Sequence, residues 1–294
     1  GLLFGLSLLD MDYEVVSDLG QQEGLEGSAQ SVSGSLSYPL RRTRMSNVYL
    51  RGALTGQWLE DLGNTGTLKD REKFSGSFDL SGDWLGSFYG GSFNSWSIGL
   101  ASGNLDLSGA PIDNLVDSAT YKTDGHFTKF VYQLSRLQRL RGPFTFFGSL
   151  SGQYAFDNLD SSEQFSLGGP NGIRGYPVTE AGGDRASMLN LELRYDVPEF
   201  TSIGSLQLKA FYDLGHVRLR HKTFNQPVPT LERENEYFLQ GTGLGLQFFK
   251  SDHFLLEASW GMKIGDNPGR DLNGRDADGT DRDHRFWLRA VKWF

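Results

Sequence analysis

The chain contains no cysteine among its 294 residues. Without thiols it has no disulfide framework, no thiolate metal site and no cysteine nucleophile. It also has no apolar run approaching eighteen residues, so the sequence predicts no transmembrane helix. A formal net charge of −8 gives no support for nucleic-acid binding. These absences exclude several classes of enzyme and regulator but leave a structural or transport role open.

Glycine and aromatic residues are abundant instead. The 38 glycines and the 13% of aromatic residues are spread evenly along the chain, which is typical of closed β-structure. Segments of about ten residues alternate large apolar side chains with polar or small ones, the period of a membrane β-strand. This alternation predicts an outward apolar face at Leu50, Phe78, Leu150, Leu191, Leu208 and Trp260, and an inward face at Arg51, Asp79, Ser151, Glu192, Lys209 and Glu257.

The alternating pattern predicts about twelve strands, and their connections alternate in length. The strand centres fall near residues 7, 34, 53, 78, 100, 132, 150, 192, 210, 243, 258 and 289. Short connections are expected at 41–47, 141–143, 198–204 and 250–253, a middling one at 83–94, and long polar ones at 15–29, 60–71, 108–125, 157–186, 218–236 and 265–284. Short periplasmic turns and long outer loops are characteristic of outer-membrane barrels. We therefore expect an all-β, antiparallel transmembrane β-barrel.

One long loop sets an arginine among four glycines. Residues 165–176 read Phe-Ser-Leu-Gly-Gly-Pro-Asn-Gly-Ile-Arg-Gly-Tyr. Gly168 and Gly169 permit positive φ, and the following Pro-Asn-Gly favours a turn. Arg174 carries a permanent charge that needs a carboxylate if it is buried. The loop is therefore predicted to fold back inside the barrel and to be fixed there through Arg174.

The same stretch resembles the sixth extracellular loop of the outer-membrane polypeptide-transport superfamily. The resemblance rests on Gly168, Gly169, Ile173, Arg174, Gly175 and Tyr176, with isoleucine at the place where valine is usual. The run Asp-Ser-Ser-Glu-Gln-Phe at 160–165 resembles one branch, the two-partner secretion transporters or hemolysin secretion/activation proteins (ShlB/FhaC/HecB). The resemblance implies a Gram-negative outer-membrane pore that exports an unfolded β-helical exoprotein of the TpsA type, such as an adhesin or hemolysin.

The resemblance also implies a larger protein. Family members have sixteen strands preceded by periplasmic polypeptide-binding domains. No signal peptide opens this chain, because residues 1–7 have the pattern of a strand interior. We therefore expect residues 1–294 to be the carboxy-terminal part of the barrel, without those domains and without about four strands.

Asp213 is the expected partner of Arg174. The apolar residues of its segment have even numbers, so Asp213 has the parity of the lumenal face, together with Lys209. The segment Phe211-Tyr-Asp-Leu-Gly215 also resembles the family's Phe-x-Asp-x-Gly motif, which implies the same salt bridge. Glu257 is a second possible partner. Pairing of Asp213 with Lys209 or another wall charge is the alternative.

Two further features have structural interpretations. Gly241, Gly243 and Gly245 share the lumenal face of one strand, where they either make room for the inserted loop or only bend the strand. Phe294 ends the chain behind alternating apolar residues, which resembles the signal read by the barrel assembly machinery.

No constellation in the sequence supports catalysis. The run Asp-Ala-Asp-Gly-Thr-Asp at 276–281 hints at a calcium loop, but Trp287 stands at the twelfth position, where an acid is needed. We therefore interpret it as a solvated outer loop and expect no metal, no cofactor and no catalytic residue.

The expected partners are the exoprotein, the barrel assembly machinery during insertion and outer-membrane lipids, without nucleic acid. A barrel-assembly or autotransporter-assembly protein and a diffusion porin remain the alternatives. A barrel phospholipase would need a Ser/His pair that we do not find.

Overall fold

The computed structural model describes residues 1–15, 23–198, 204–223, 234–251 and 253–293. These residues form one antiparallel sheet of twelve strands, each paired with its neighbours in chain order. The strands are β1 (Leu3–Glu14), β2 (Glu26–Arg42), β3 (Ser46–Gly63), β4 (Gly66–Gly86), β5 (Ser92–Asp106), β6 (Gly125–Arg139), β7 (Phe144–Ala155), β8 (Arg185–Val197), β9 (Ser205–Arg218), β10 (Glu236–Lys250), β11 (Phe254–Ile264) and β12 (His284–Lys292). Every expected strand centre falls inside one of them, so the all-β prediction is confirmed.

Successive side chains lie on opposite faces of the sheet, as the period of two requires. Cross-strand neighbours such as Leu150 and Leu189 share the outward face, where Phe78 is 73% exposed. The inward face carries buried charges, including Glu192 and Asp213. Lipid-facing residues are expected to be exposed in a chain without its membrane, and the polar face is expected to line the interior. The predicted parity therefore agrees with the register of the sheet.

The connection expected at 60–71 differs from the prediction. Strands β3 and β4 continue to Gly63 and Gly66 and are joined by a two-residue turn, where Gly66 has a φ of +107°. Beyond the apolar band a strand needs no apolar face. The two strands therefore continue through charged residues, such as Asp61 in register with Lys69, although this stretch reads as a loop.

The connection from β5 to β6 contains α1 (Pro111–Ala119), a short helix that the sequence did not indicate. Proline at its first turn suits a helix start, because that position lacks an intrahelical acceptor in any case. No helix in the described part of the chain is long and apolar enough to cross a membrane.

The sheet is open along one seam. Among the described residues β1 pairs only with β2, and β12 pairs only with β11. Each of these two strands therefore leaves one row of backbone donors and acceptors unpaired.

The buried core lies on the inward face, between the wall and the connection from β7 to β8. We call residues 156–184 the arginine loop. Its Leu167, Ile173 and Tyr176 are fully buried against the wall residues Val217 and Leu239. Backbone bridges join Phe165 to Gly183 and Gly168 to Ile173, so the loop is a compact folded unit. The fold thus places this loop inside the curve of the sheet.

Candidate functional site

The tip of the arginine loop has a backbone that only glycine fits at several points. The amide of Ile173 donates to the carbonyl of Leu167 at 2.7 Å, and the amide of Gly169 donates to the carbonyl of Tyr176 at 3.1 Å. A Cβ on Gly172 would lie 2.1 Å from the oxygen of Leu167, and Gly169 has a φ of +112°. These glycines bring the two arms of the loop together and orient Arg174 towards the wall.

Arg174 forms a bidentate ion pair with Asp213. Its Nε donates to Oδ2 at 2.9 Å and its Nη2 to Oδ1 at 2.7 Å, while its backbone amide donates to Oδ2 at 3.1 Å. The amide of Asn190 donates both to Oδ1 of Asp213, at 2.8 Å, and to the carbonyl of Gly172, at 2.9 Å. Asp213 has no exposed surface, so its charge is held entirely by these donors. The structure thus brings Arg174 to Asp213, which parity had placed on the lumenal face and which the family resemblance implied as its partner.

Glu192 is the second carboxylate on Arg174. Nη1 of Arg174 donates to Oε1 of Glu192 at 2.5 Å, and Arg194 donates to Oε2 from Nε at 2.8 Å. The guanidinium also stacks on the ring of Phe211, with Cζ 3.4 Å from the ring centroid. Two positive and two negative charges therefore alternate in one cluster. Sequence parity placed Glu192 on the inward face but could not select it among the other carboxylates there.

Burial alone would lower the pKa of the Arg174 guanidinium. The hydrogen bonds and charge of Asp213, followed by the charge of Glu192, outweigh the burial and raise that pKa above its ordinary value. Arg174 therefore stays charged throughout the accessible pH range.

Glu257, the alternative partner, does not contact Arg174. Its carboxylate lies 3.7 Å from Nζ of Lys209 and 3.4 Å from Nη1 of Arg289. The loop backbone meets β11 at Gly261, four residues further along the strand, which corresponds to about 13 Å. Glu257, named as a second possible partner, is therefore not the partner of Arg174, and Lys209 contacts Glu257 while Asp213 pairs with Arg174.

Of the three inward glycines of β10, only Gly241 makes room for the loop. A Cβ there would lie 3.2 Å from Cγ2 of Ile173. At Gly243 it would lie 2.6 Å from Cζ of Phe211, so this glycine admits the ring that stacks on Arg174. At Gly245 it would meet only wall atoms, at 3.2 Å or more, so the interpretation as loop space is wrong there.

Two wall glycines that we had not selected contact the loop most closely. A Cβ on Gly261 would lie 2.5 Å from the backbone oxygen of Arg174, and one on Gly215 would lie 2.6 Å from Cδ1 of Ile173. Gly215 is the last residue of the segment Phe211–Gly215 that contains Asp213, and Gly261 is the register partner of Gly243. The sequence showed that both glycines lie on the inward face. It did not show how far along the strands the loop meets the wall.

Further contacts hold the rest of the motif. The indole Nε1 of Trp287 on β12 donates to the carbonyl of Arg174 at 2.9 Å. A Cβ on Gly175 would lie 2.9 Å from the backbone of Met262. The Tyr176 ring is fully buried, with Nζ of Lys263 5.2 Å from its centroid, and burial raises the pKa of its phenol. The tip therefore touches five strands, β8 to β12, and the charge of Arg174 is buried among them.

The base of the arginine loop is anchored on the opposite part of the wall. Glu163 forms ion pairs with Lys73 on β4 and, at 2.7 Å, with Lys129 on β6. Asp160 lies 3.3 Å from Nε of Arg71. Burial would raise the pKa of Glu163, but the two lysines lower it overall. The loop therefore crosses the interior from β4 and β6 to β8–β12.

A polar network joins the arginine loop to the connection between β11 and β12. The amide of Asn267 donates to Oε1 of Glu180 and to Oδ1 of Asp276, both at 3.0 Å. Asp276 has a fully buried side chain and accepts from Lys263 at 2.5 Å and from Arg285 at 3.0 Å. The interpretation of 276–281 as a solvated loop is therefore wrong for Asp276, because neighbouring cations neutralise it.

No group of three or more metal-ligating side chains that could hold an ion occurs within the described ranges. Phe294, the expected assembly signal, lies outside the described residues.

Below the loop tip lies a cavity of about 470 Å³, lined in part by Arg174, Glu192, Lys209, Glu257, Trp287 and Arg289. The site is thus a plug-like loop over a charged interior cavity, and its polar groups are occupied in holding the loop.

A family model supports a relationship with secretion proteins. The model described as "Haemolysin secretion/activation protein ShlB/FhaC/HecB" matches residues 2–248. The Heme/hemopexin transporter protein HuxB of Haemophilus influenzae is 25% identical over 295 residues, which cover 99% of this chain and 48% of that protein. The Outer membrane transporter CdiB of Dickeya dadantii (strain 3937) is 29% identical over 115 residues, which cover 39% of this chain and 20% of that protein.

Solved structures show the same fold. CdiB from Escherichia coli superposes with a TM-score of 0.73 at 19% identity, over 99% of this chain and 50% of that one. CdiB from Acinetobacter baumannii gives a TM-score of 0.67 at 17% identity, over 99% of this chain and 47% of that one. The chain spans about half the length of the curated relatives it matches over its whole length.

Proposed function

The chain belongs to the haemolysin secretion/activation protein family ShlB/FhaC/HecB and resides in the bacterial outer membrane, and from that premise we propose that the full-length protein exports a partner exoprotein to the cell surface. The cargo would be an unfolded β-helical protein such as an adhesin or hemolysin. Transport, not catalysis, is the proposed activity. The barrel assembly machinery would insert the protein, reading Phe294 as part of its signal.

The Arg174 cluster is the observation that carries this proposal. A loop that crosses the interior and is held at a fully buried aspartate blocks free diffusion, as a gated pore requires and a diffusion porin does not. Its ion pair joins a loop to the wall, so breaking it would free the loop without unpairing any strand. We propose that Arg174 and Asp213 act as the latch of this gate. The cavity below the tip would receive the arriving chain.

The open seam supports a larger barrel. A strand edge without partners is strongly disfavoured in lipid, where no water can satisfy its donors and acceptors. We propose that β1 and β12 pair with about four further strands of the full-length protein, which would complete sixteen. The periplasmic polypeptide-binding domains would precede them.

The test is secretion by the full-length transporter carrying Arg174→Ala. We expect the amount of exoprotein in the medium, normalised to barrel in the outer membrane, to fall at least about tenfold, because the latch no longer holds the productive loop position. Arg136→Ala is the matched control, since this arginine faces outward at the opposite rim, donates to Gln138 and Asn94, and does not line the cavity. Full secretion by Arg174→Ala, from a heat-modifiable barrel present at normal amount, would contradict the proposed latch.

A further inference from the structure

Two arginines meet at the outer rim of the sheet, at the end where the long loops emerge. Arg185 begins β8 and Arg218 ends β9, and the two are direct register partners. Both lie on the outward face, since Arg185 shares the face of Tyr154, its partner on β7. The Cβ atoms of directly opposite residues in an antiparallel pair are about 4.5–5.5 Å apart, and like charges placed there repel each other. Such a pair needs a counter-charge.

The carboxylates near this pair form no ion pair with it in the described part of the chain. Neither arginine is in an ion pair there, although Arg218 is also in register with Glu236 on β10. Glu236 is occupied by His216, with Oε1 3.0 Å from Nε2. Asp184, the residue next to Arg185, is fully buried and accepts from the backbone amides of Leu159 and His221. The nearby carboxylates are thus engaged elsewhere.

Arg218 also carries a hydrogen-bond donor without a partner in the described part of the chain. Nε of Arg218 is shielded from solvent and has no hydrogen-bond partner in the described part of the chain, while its Nη2 reaches only the carbonyl of His221, at 3.3 Å. Nδ1 of His221 is likewise buried and unpartnered. A buried donor without an acceptor costs about 1–3 kcal/mol. An oxygen-rich anion beside Arg218 would offset its charge, and a turn of the side chain would let Nε donate to it.

The positive charges at this rim also act on the neighbouring His221. The pKa of the His221 imidazole is lowered by its burial and by the charges of Arg185, Lys222 and Arg218. Asp184 also lies close but only partly offsets these cations. The rim here is therefore basic, whereas outward positions at the same end of β3, β4 and β5 are occupied by Glu60, Glu72 and Asp106. The positive charge is local to β8 and β9.

The surroundings of the pair are those of a membrane interface. The guanidinium of Arg185 lies over the ring of Tyr154, with Cζ 3.8 Å from the centroid, and its Nε donates to the carbonyl of Ala155 at 2.9 Å. Tyr154, Phe156 and Phe238 are 43%, 48% and 58% exposed on the same outward side. Aromatic side chains form such girdles where the apolar band ends and lipid headgroups begin. A ligand at this rim would present its charge to the arginines and its acyl chains to the rings.

We propose that Arg185 and Arg218 bind a phosphate group of an outer-leaflet glycolipid of the lipid A type. The planar guanidinium groups suit phosphate oxygens, which they can contact through two parallel hydrogen bonds. The acyl chains of the lipid lie against Tyr154, Phe156 and Phe238. This lipid site is on the outward face and is independent of the latch inside the barrel.

The test uses the full-length transporter, purified in a non-ionic detergent, and bisphosphorylated lipid A as the probe. Binding is measured by native mass spectrometry as an apparent Kd. For the double variant Arg185→Gln/Arg218→Gln we expect binding at least about tenfold weaker. Arg136→Gln is the matched control, because this arginine also faces outward, but at the other rim, where it donates to Gln138 and Asn94. It should change binding by less than about twofold.

A second arm does not depend on the variants folding. Dephosphorylated lipid A should bind the wild-type transporter at least about tenfold more weakly than the bisphosphorylated lipid. Millimolar inorganic phosphate should not displace bound lipid A. Equal binding by the double variant, an equal loss in Arg136→Gln, or equal affinity for dephosphorylated lipid A overturns the proposal. Displacement by inorganic phosphate also overturns it, since free phosphate would then be the ligand.

Discussion

The tip and the base of the arginine loop are fixed to the wall by different kinds of interaction. At the tip, Arg174 shares its charge with Asp213 and Glu192 in a cluster that sums to zero with Arg194, and glycines bring the backbone against the wall. At the base, Glu163 lies between two lysines, and its side chain retains 15% exposure. The tip depends on a bidentate contact whose geometry a single substitution destroys. The base depends on ion pairs, which salt and solvent weaken. The contacts of the tip therefore determine the position of the loop inside the barrel.

The largest expected effect is that of Arg174→Ala on the hold of the loop. Removing the guanidinium leaves Asp213 buried without its main counter-charge, which costs about 3–5 kcal/mol. Hydrogen exchange of the loop amides from Leu167 to Tyr176 should rise accordingly, while the strands stay protected. Arg174→Lys should recover little, because an ammonium cannot make the bidentate contact.

The partner variant sharpens that result. Asp213→Ala should loosen the same amides, and the double variant should be clearly less than additive, since both changes break one interaction. Additive effects would mean that Arg174 is held mainly through Glu192.

A smaller effect is expected when the tip is pushed from the wall. Gly261→Ala places a Cβ 2.5 Å from the oxygen of Arg174, and overpacking of this kind costs about 1–3 kcal/mol. Protease cleavage within the loop should become faster. Gly34→Ala is the control, because a Cβ there meets nothing within 4 Å. Equal cleavage of the two variants would show that the loop tip shifts without strain.

At the base, Glu163→Gln should loosen the loop by about 1–3 kcal/mol, because it leaves the buried ammonium of Lys73 without its carboxylate. The folded-state pKa of Glu163 lies below its ordinary value, so the ion pairs contribute fully above that ordinary value. Their contribution is lost as the pH falls through the lower, folded-state pKa. Exchange of amides near Glu163 should therefore rise in acid in the wild type, and Glu163→Gln should remove this dependence. Persistence of the same acid dependence in the variant would assign it to another group.

The smallest effect is expected for the wall pair below the loop. Arg289→Ala breaks a 3.4 Å contact with Glu257 in which the arginine is largely solvated. Pairs of this kind contribute about 0–1 kcal/mol. Exchange in the arginine loop should remain unchanged within error. A loosening comparable to that of Glu163→Gln would mean that the cavity wall supports the loop through Trp287 on the same strand.

Strand number, strand parity and the Arg174–Asp213 pairing were all readable from the sequence. The period of two is a local property of an extended chain, so residues such as Leu189 and Asp213 reveal their faces without any knowledge of their neighbours. The glycines at 168 and 169 likewise signal a turn through their own backbone freedom. The family resemblance then indicated which carboxylate faces which arginine.

Other features depended on distance in space. Glu257 and Glu192 both lie on the inward face, but only the depth of the loop decides which one reaches Arg174. Asp276 looked solvated until Lys263 and Arg285 were found beside it. The end of the β3–β4 hairpin looked like a loop because it lacks an apolar face, and only the register shows that its strands stay paired. Sequence by itself determined the alternation of faces, since each residue's direction follows from its own backbone. Only the tertiary structure decided register, loop depth and ion partners, because these depend on atoms brought together from distant parts of the chain.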